Sequence, residues 1–298
     1  MHVDYFFLQT ESGLRPYLIF VDEASNRVKI YQVRTRQKNY FITAMERNNA
    51  FYVRIGKSKC KIIVSDREKT FKSAQLLFEG CTNEGPPAGE KDDLSERFIR
   101  VIKSIIRTLT ATLPYRFPEK ALDHAVEESE DMLGLRPCHK LGGVSYFEGV
   151  DGFKFDMSRL FCKYGAYGLA QTPSTKRQNR AGQLAGVYGI LVRREYKDQP
   201  AYTVMLLDPI QGHNSHFVTV SVFTPIVPGP EIIEKINRLS DSTFPVEEYI
   251  DNLLGGDYSE DAYVDHEPDE AEETEPNQQD QNSIQQNDAQ EPLSLRTE

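Results

Sequence analysis

The stretch Tyr5-Phe-Phe-Leu-Gln-Thr-Glu-Ser-Gly-Leu-Arg-Pro-Tyr-Leu-Ile-Phe-Val21 places two apolar runs on either side of a polar turn. The runs are Tyr5–Gln9 and Pro16–Val21, and Glu11-Ser12-Gly13 lies between them. Two short apolar runs joined by turn-forming residues are typical of an antiparallel β-hairpin. We therefore predict that a sheet begins at this hairpin and that the next segments extend it.

Four further segments have the composition or the alternation of strands, and short polar joints separate some of them. They are Arg27–Arg34, Asn39–Ala44, Ala50–Gly56 and Cys60–Ser65. A helix is expected next, because Ser65 and Glu68 have the spacing of a capping box and Gly80 stands where a helix C-terminal glycine belongs. Residues 1–80 are thus predicted to form a basic antiparallel β-meander closed by a helix.

Two central helices are predicted within residues 91–134, after a linker at 82–90 that contains Gly and Pro. Apolar residues recur at helical spacing from Leu94 to Leu113. A second helix is expected to begin at Pro118, a favoured first position, and to end near Gly134.

Strand-type patterns return in residues 138–255. The candidate strands are Val144–Phe147, Phe153–Phe155, Val187–Arg193, Tyr202–Leu207 and Phe217–Phe223. Two short helices are expected after them, at Pro230–Leu239 and Pro245–Leu254. The predicted fold class is α+β, with a second, mostly antiparallel β region after the central helices. The predicted domains are a sheet and helix (1–80), a helical segment (91–134), a second α+β region (138–255) and a disordered acidic tail (257–298).

Charge is divided unevenly along the chain. Residues 257–298 hold fourteen acidic residues and one base, Arg296, a net charge of −13 in a chain whose total is −10. From Ala24 to Gly80, thirteen Lys and Arg stand against four acidic residues. A basic segment and an acidic tail in one chain are typical of proteins that bind polyanions. Because the tail has few aliphatic residues to bury, we expect it to be disordered. It could compete for the basic segment, recruit a basic protein partner or only aid solubility.

Composition also argues against several protein classes. No run of roughly eighteen apolar residues is present, so a membrane span is not expected. The N-terminus lacks the basic and then apolar pattern of a secretory signal. The cysteines, Cys60, Cys81, Cys138 and Cys162, are far apart and show no CxxC spacing, which argues against a zinc module. We expect an intracellular protein with reduced thiols and no cofactor, and the sequence does not distinguish a cytoplasmic from a nuclear location.

Aromatic and basic residues alternate along the predicted strands of the basic segment. Tyr52 and Arg54 would share one exposed strand face, and Lys29 and Tyr31 would share another. Single-stranded nucleic acid is held by positive charge along its backbone and by aromatic rings on which bases stack. The candidate nucleic-acid-binding residues are therefore Lys29, Tyr31, Tyr52, Arg54, Lys57, Lys59 and Lys61, with Lys176 and Arg177 in a basic loop as outlying contacts. The alternative is a solvated sheet face whose lysines prevent edge pairing.

The layout of Asn26–Gly80 resembles one repeat of the Pur-alpha type, which is also similar to Whirly-like single-strand binders. The matching segments are Arg27–Arg34, Asn39–Ala44, Ala50–Ile55 and Lys61–Val64, followed by a helix at Glu68–Phe78. The resemblance implies four curved antiparallel strands with one helix packed across them and nucleic acid on the concave sheet face. By position, Tyr52, Arg54 and Lys61 would lie on that face. It also implies that two repeats pair into one unit, so a homodimer is among the expected partners.

The enzymatic signals are few. Asp208, His213 and His216 follow an apolar strand and could bind a metal, although a turn between two strands explains the same residues. Our interpretation is a non-enzymatic protein that binds nucleic acid, with single-stranded DNA or RNA favoured over a duplex. The first alternative is a protein-interaction module or viral scaffold. The second is a metal-dependent hydrolase or nuclease that uses these three residues.

Overall fold

The helices and strands of the computed structural model stack in alternating layers: a helix, a sheet, a helical layer and a second sheet. The structure describes residues 1–10, 13–65, 71, 80–85, 93–155, 162–171, 186–196, 201–208 and 215–240. The described residues belong to one compact unit, Met1–Ala262. The predicted α+β class with two mostly antiparallel sheets is confirmed.

The N-terminal sheet contains both antiparallel and parallel neighbours. Its strands are β1 (His2–Thr10), β2 (Gly13–Val21), β3 (Val28–Gln32), β4 (Ile62–Ser65) and β5 (Thr82–Glu84). They lie in the order β3-β2-β1-β4-β5. The predicted hairpin is formed by β1 and β2, and β3 adds to it antiparallel. In contrast, β4 runs parallel to β1, and β5 runs parallel to β4. Parallel neighbours need a crossover connection, which a helix supplies between β3 and β4.

The crossover helix α1 (Lys38–Arg54) occupies the place of two predicted strands, at 39–44 and 50–56, which are therefore wrong. Its buried residues recur every three or four positions and are Phe41, Ala44, Met45, Asn48, Asn49 and Tyr52. This helical period of burial outweighs the local strand preference of the aromatic and β-branched residues. Asn48 and Asn49 resemble a turn in sequence, yet Asn49 Oδ1 accepts a hydrogen bond from the Cys60 amide at 3.0 Å.

Two of the four segments that carry the resemblance to a Pur-type repeat are thus helical. Of the other two segments, only β3 pairs antiparallel with a neighbouring strand, because β4 pairs in parallel with β1. Whether the segment acts as such a repeat stays a prediction.

The C-terminal sheet is antiparallel. Its strands are β6 (Tyr167–Gln171), β7 (Gly186–Glu195), β8 (Ala201–Leu206), β9 (Phe217–Val220) and β10 (Phe223–Pro225). They lie in the order β10-β6-β7-β8-β9, so a meander of four strands is followed by a fifth that returns to the first. The predicted strands at 187–193 and 202–207 are confirmed, and the one at 217–223 is divided between β9 and β10.

Between the sheets lie two helices, α2 (Asp93–Ala111) and α3 (Leu122–Gly134), which confirm the predicted central helices. A short 3-10 helix, Glu119–Ala121, leads into α3. α2 packs on β1 and β2, and α3 packs on β3 and β7. One buried cluster joins the layers, and it includes Phe6, Leu8 and Ile19 of the first sheet, Phe98, Ile102 and Ile106 of α2, and Ile190 and Val192 of the second sheet. On the other face of the first sheet, Phe41 and Met45 of α1 pack against Val3, Tyr5, Leu18 and Phe20.

Acidic side chains of α3 connect the two sheets. On one side, Glu130 accepts hydrogen bonds from Lys29 Nζ at 2.6 Å and from the Ile30 amide at 2.8 Å, both in β3. On the other side, the fully buried Glu128 accepts from Nε and the backbone amide of Arg194 in β7, at 2.7 and 2.8 Å. We call α3 with these ion pairs the acidic strut.

Two more predicted strands are wrong. Part of the segment at 144–147 is the start of a short helix, α4 (Tyr146–Gly149), because the Ser145 hydroxyl accepts from the Glu148 amide at 3.2 Å and caps it. Residues 153–155 form no strand. The predicted helix at Pro230–Leu239 is confirmed as α5, and Ile236 is buried against the central cluster.

Several predictions lie outside the described residues: most of the helix at 68–78, the helix at 245–254 and the acidic tail. The exception is Phe71, whose ring stacks on Tyr5 with centroids 5.3 Å apart. Of the described helices, none is both long and apolar enough to cross a membrane.

Candidate active site

A buried carboxylate lies on the central strand of the N-terminal sheet. Asp4 of β1 is 9% exposed and pairs with Ile19 of β2 in the sheet register. Because side chains alternate along a strand, Asp4 shares a face with Phe6 and Leu8, which belong to the cluster packed by α2. Its Oδ1 accepts a hydrogen bond from the Tyr5 amide at 2.7 Å. A carboxylate in this apolar layer costs desolvation energy, so its position calls for a functional explanation.

The order of the strands reverses at β1, and such a position in a sheet favours ligand binding. After β1 the chain moves to β2 and β3 on one side, and it then crosses back to β4 on the other side of β1. Ligands of open parallel sheets bind beyond the carboxyl ends of strands where the strand order reverses, and of β1 and β4 it is the carboxyl end of β4 that lies at the level of Asp4. β4 ends at Ser65, whose register partner is Val3, next to Asp4. The next residue in the sequence is Asp66, which lies outside the described part of the chain.

A second acidic residue, Glu96, lies at the start of α2, the helix that packs on β1 and β2. Glu96 is half-buried in the first turn of α2, between the fully buried Ser95 and Phe98. Phe98 packs in the cluster that contains Phe6, on the Asp4 face of β1. Side chains two positions apart on a helix do not share a face, so Phe98 packs against the Asp4 face of β1 while Glu96 points to another side of α2. Carboxylate oxygens are the ligands that Mg²⁺ prefers and can also act as proton acceptors.

The candidate site was missed by sequence reasoning, although a signal existed. Asp4 is an acidic residue in an otherwise apolar strand, and Glu96 begins an apolar helix. The strand order that brings the two elements together depends on recognising α1 as a crossover helix rather than as two strands.

Three of the predicted nucleic-acid-binding residues meet at one groove. Lys29, Tyr31 and Arg54 line a groove of about 490 Å³ beside α1, together with Arg47, Phe51, Glu127, Glu130 and Arg193. We call it the α1 groove. Tyr31 is largely occupied by packing, since it contacts Phe20 edge to face at 5.5 Å, and burial raises its pKa above the ordinary value.

The other predicted residues surround a different cavity, of about 510 Å³. Tyr52, Lys57, Lys59 and Lys61 contribute to its wall. Tyr52 is only 6% exposed because it lies on the buried side of α1, and burial raises its pKa. The prediction that Tyr52 and Arg54 share an exposed sheet face is therefore wrong, since both belong to a helix and Tyr52 cannot offer its ring to a base. Lys57, Lys59 and Lys61 are exposed.

The alternative metal site is only partly described. Asp208 accepts a hydrogen bond from Lys235 Nζ at 2.6 Å, and His216 is exposed before β9. His213, Lys176 and Arg177 lie outside the described residues. Within the described part of the chain, no group of three or more His, Cys, Asp or Glu residues is placed to hold a metal ion.

Comparisons with known proteins give structural matches but no sequence family. No protein-family model matches the chain, and no curated protein matches it. The dimeric form of the HTLV-2 integrase catalytic core domain in complex with magnesium is 18% identical, with a TM-score of 0.36 over 45% of this chain and 83% of that one. The simian T-cell lymphotropic virus intasome in complex with the PP2A regulatory subunit B56 gamma is 11% identical, with a TM-score of 0.40 over 76% of this chain and 78% of that one.

The catalytic core domain of BIV integrase is also similar, at 13% identity and a TM-score of 0.38 over 51% of this chain and 92% of that one. Two of the three matched structures are integrase catalytic core domains, and with this finding the expectation of a non-enzymatic protein is withdrawn.

Proposed function

We propose that this chain is a polynucleotidyl transferase, an enzyme that breaks or joins phosphodiester bonds of nucleic acid, with Asp4 and Glu96 in its active site. The observation that carries the proposal is Asp4, a buried carboxylate on the central strand where the strand order reverses. An active site requires acidic groups held in fixed positions, and the strands on either side of β1 hold Asp4 in one.

Asp4 and Glu96 differ in burial and in the secondary structure that carries them. Asp4 is fixed by its sheet and by its hydrogen bond with the Tyr5 amide, which suits a group that orients a reactant. Glu96 is half-buried and begins a helix, so it can approach solvent and accept a proton from an attacking water or hydroxyl group. The described residues do not make a complete metal site, so no step of the proposal passes through an ion. In sequence, Asp66 stands directly after β4 and is the natural third carboxylate to test.

The experiment is a cleavage and joining assay with labelled DNA and RNA, single- and double-stranded, in Mg²⁺, in Mn²⁺ and in excess chelator. Time-dependent formation of shortened or joined strands by the wild-type chain is the expected result. Turnover that is absent with all four substrates under all three conditions, at protein in excess over substrate, would overturn the proposal.

The finer part of the proposal is that the substrate is held as a single strand against Lys57, Lys59 and Lys61. These side chains are exposed and follow one another along the wall of one cavity. Replacing all three with Ala should reduce the salt dependence of single-strand binding by roughly 2 in the slope of log K against log[salt], about 0.7 per lost phosphate contact. Fluorescence anisotropy measures this slope. Equal competition by duplex and single strand would contradict the single-strand preference.

The acidic tail is expected to weaken nucleic-acid binding. Its net charge of −13 can compete with phosphates for the basic surfaces of the chain. Deletion of 257–298 should therefore raise the affinity for nucleic acid, most clearly at low salt, where charges are least screened. Titration of the full chain and the truncated chain at two salt concentrations tests this. Equal affinities at low salt would mean that the tail is only a solubilising segment.

A further inference from the structure

The α1 groove combines basic and aromatic side chains from three elements. Its lining comes from Lys29 to Tyr31 of β3, from α1, and from acidic residues of α3 and Arg193 of β7. α1 contributes Arg47, Ala50, Phe51 and Arg54. These residues are three, four and seven positions apart, so they form one stripe along the helix. The groove is therefore a continuous surface that a linear ligand could follow.

Ion pairs neutralise part of the charge in the α1 groove. Lys29 Nζ lies 2.6 Å from Glu130, and Arg193 lies 2.7 Å from Glu127. Burial raises the pKa of Glu127, but the hydrogen bonds and charges of His124 and Arg193 outweigh it, so the net pKa is lowered and the carboxylate stays ionised. Each acidic residue of the groove, Glu127 and Glu130, is thus paired with a basic residue that also lines the groove.

Arg47 and Arg54 are the two cations that this matching leaves over. Both are exposed, and no ion pair among the described residues involves either of them. Arg54 lies over the ring of Phe51, at 5.8 Å from its centroid, and Lys29 lies 4.5 Å from the same centroid. Phe51 therefore helps to hold Arg54 along the groove. An arginine that is positioned but has no carboxylate partner is suited to a phosphate.

The spacing of the two arginines suits a nucleic-acid strand. Seven residues of α-helix rise about 10 Å. This distance is longer than a single phosphate group, so the two guanidinium groups can contact different phosphates of one strand.

We propose that the α1 groove binds the backbone of a nucleic-acid strand, with Arg47 and Arg54 contacting two phosphates of that strand. This inference rests on the proposed function for the nature of the substrate, but it assigns a surface that is separate from Asp4 and Glu96. α1 packs on the face of the N-terminal sheet opposite to the one that carries Asp4.

The test compares R47A/R54A with R107A/R136A in the full chain. Arg107 and Arg136 are exposed and lie outside the α1 groove, so the control removes the same charge from elsewhere. Anisotropy of a labelled single strand is followed from low to high salt. For R47A/R54A the slope of log K against log[salt] should become less steep by about 1.4, or 0.7 for each lost contact. The control should keep the wild-type slope.

A slope for R47A/R54A equal to that of the control would overturn the inference. A parallel titration with polyglutamate tests whether the groove binds an acidic peptide instead. If R47A/R54A loses polyglutamate binding but keeps the wild-type salt slope for nucleic acid, the inference is also overturned. The cleavage assay separates the two proposals. If the wild-type chain cleaves DNA but R47A/R54A leaves the salt slope unchanged, the proposed function is supported and the groove inference is not. If R47A/R54A reduces the salt slope but the wild-type chain never cleaves, the groove inference is supported and the proposed enzymatic function is wrong.

Discussion

Replacing Glu128 with Ala should lower the free energy of unfolding by about 3–5 kcal/mol, the cost of removing one partner from a buried ion pair. Glu128 is fully buried, and it accepts hydrogen bonds from Arg194 and from the Tyr196 hydroxyl, the latter at 2.7 Å. The substitution leaves the guanidinium of Arg194, whose side chain is 13% exposed, without its carboxylate. Because domains are stable by about 5–15 kcal/mol, much of the protein should then be unfolded at modest urea concentrations.

Urea denaturation followed by circular dichroism measures this effect, and Glu234→Ala is the matched control. Glu234 accepts a hydrogen bond from Arg238 one turn later on α5, but both side chains are largely exposed. A surface pair of this kind contributes about 0–1 kcal/mol. If the two variants lose the same free energy of unfolding, the acidic strut stabilises the protein no more than a surface ion pair does.

Replacing Asp4 with Asn should reduce the rate of phosphodiester cleavage by about 10²-fold or more, while nucleic-acid affinity changes little. The side chains have nearly the same shape, so the sheet can retain its packing, but the amide cannot take up a proton or carry the negative charge. Glu96→Gln should give a loss of the same order. Single-turnover cleavage of labelled DNA measures the rate, and anisotropy of the same DNA measures the affinity.

Glu231→Gln is the control for these variants, because Glu231 is an exposed acid at the start of α5. It should cleave at the wild-type rate. Thermal unfolding shows whether Asp4→Asn has folded. If Asp4→Asn cleaves normally and a variant of Asp208 and His216 does not, the active site lies after β8 rather than at β1.

Local signals were sufficient for much of the fold. The first hairpin follows from two apolar runs around a turn, and α5 follows from Pro230 and an amphipathic pattern, with its observed bounds. The chain from 39 to 54 could not be assigned in the same way. Aromatic and β-branched residues around Asn48 and Asn49 suggest two strands and a turn, whereas the buried contacts that select a helix come from distant parts of the sequence, such as Val3 and Phe20.

That single error explains why the candidate site was not predicted. With two extra strands in place of α1, β4 would continue a meander and would not return parallel to β1. Asp4 would then be one acid in an edge or second strand, with no neighbouring element to give it a role. The positive charge of the basic segment was easier to recognise, because a count of its Lys, Arg, Asp and Glu residues is enough to show it. How that charge is matched, with Glu130 on Lys29, depends on tertiary packing and cannot be obtained from composition.

The acidic strut makes the two sheets difficult to separate by engineering. If the chain were cut after α3, Glu128 would lose Arg194, and the apolar side of α3 that packs on β7 would face water. A C-terminal piece without α3 would in turn keep two arginines, Arg193 and Arg194, with no carboxylates to receive them. We therefore expect neither half to behave as an autonomous module. Calorimetry of the intact chain should show one cooperative transition, with equal van't Hoff and calorimetric enthalpies, for both sheets together.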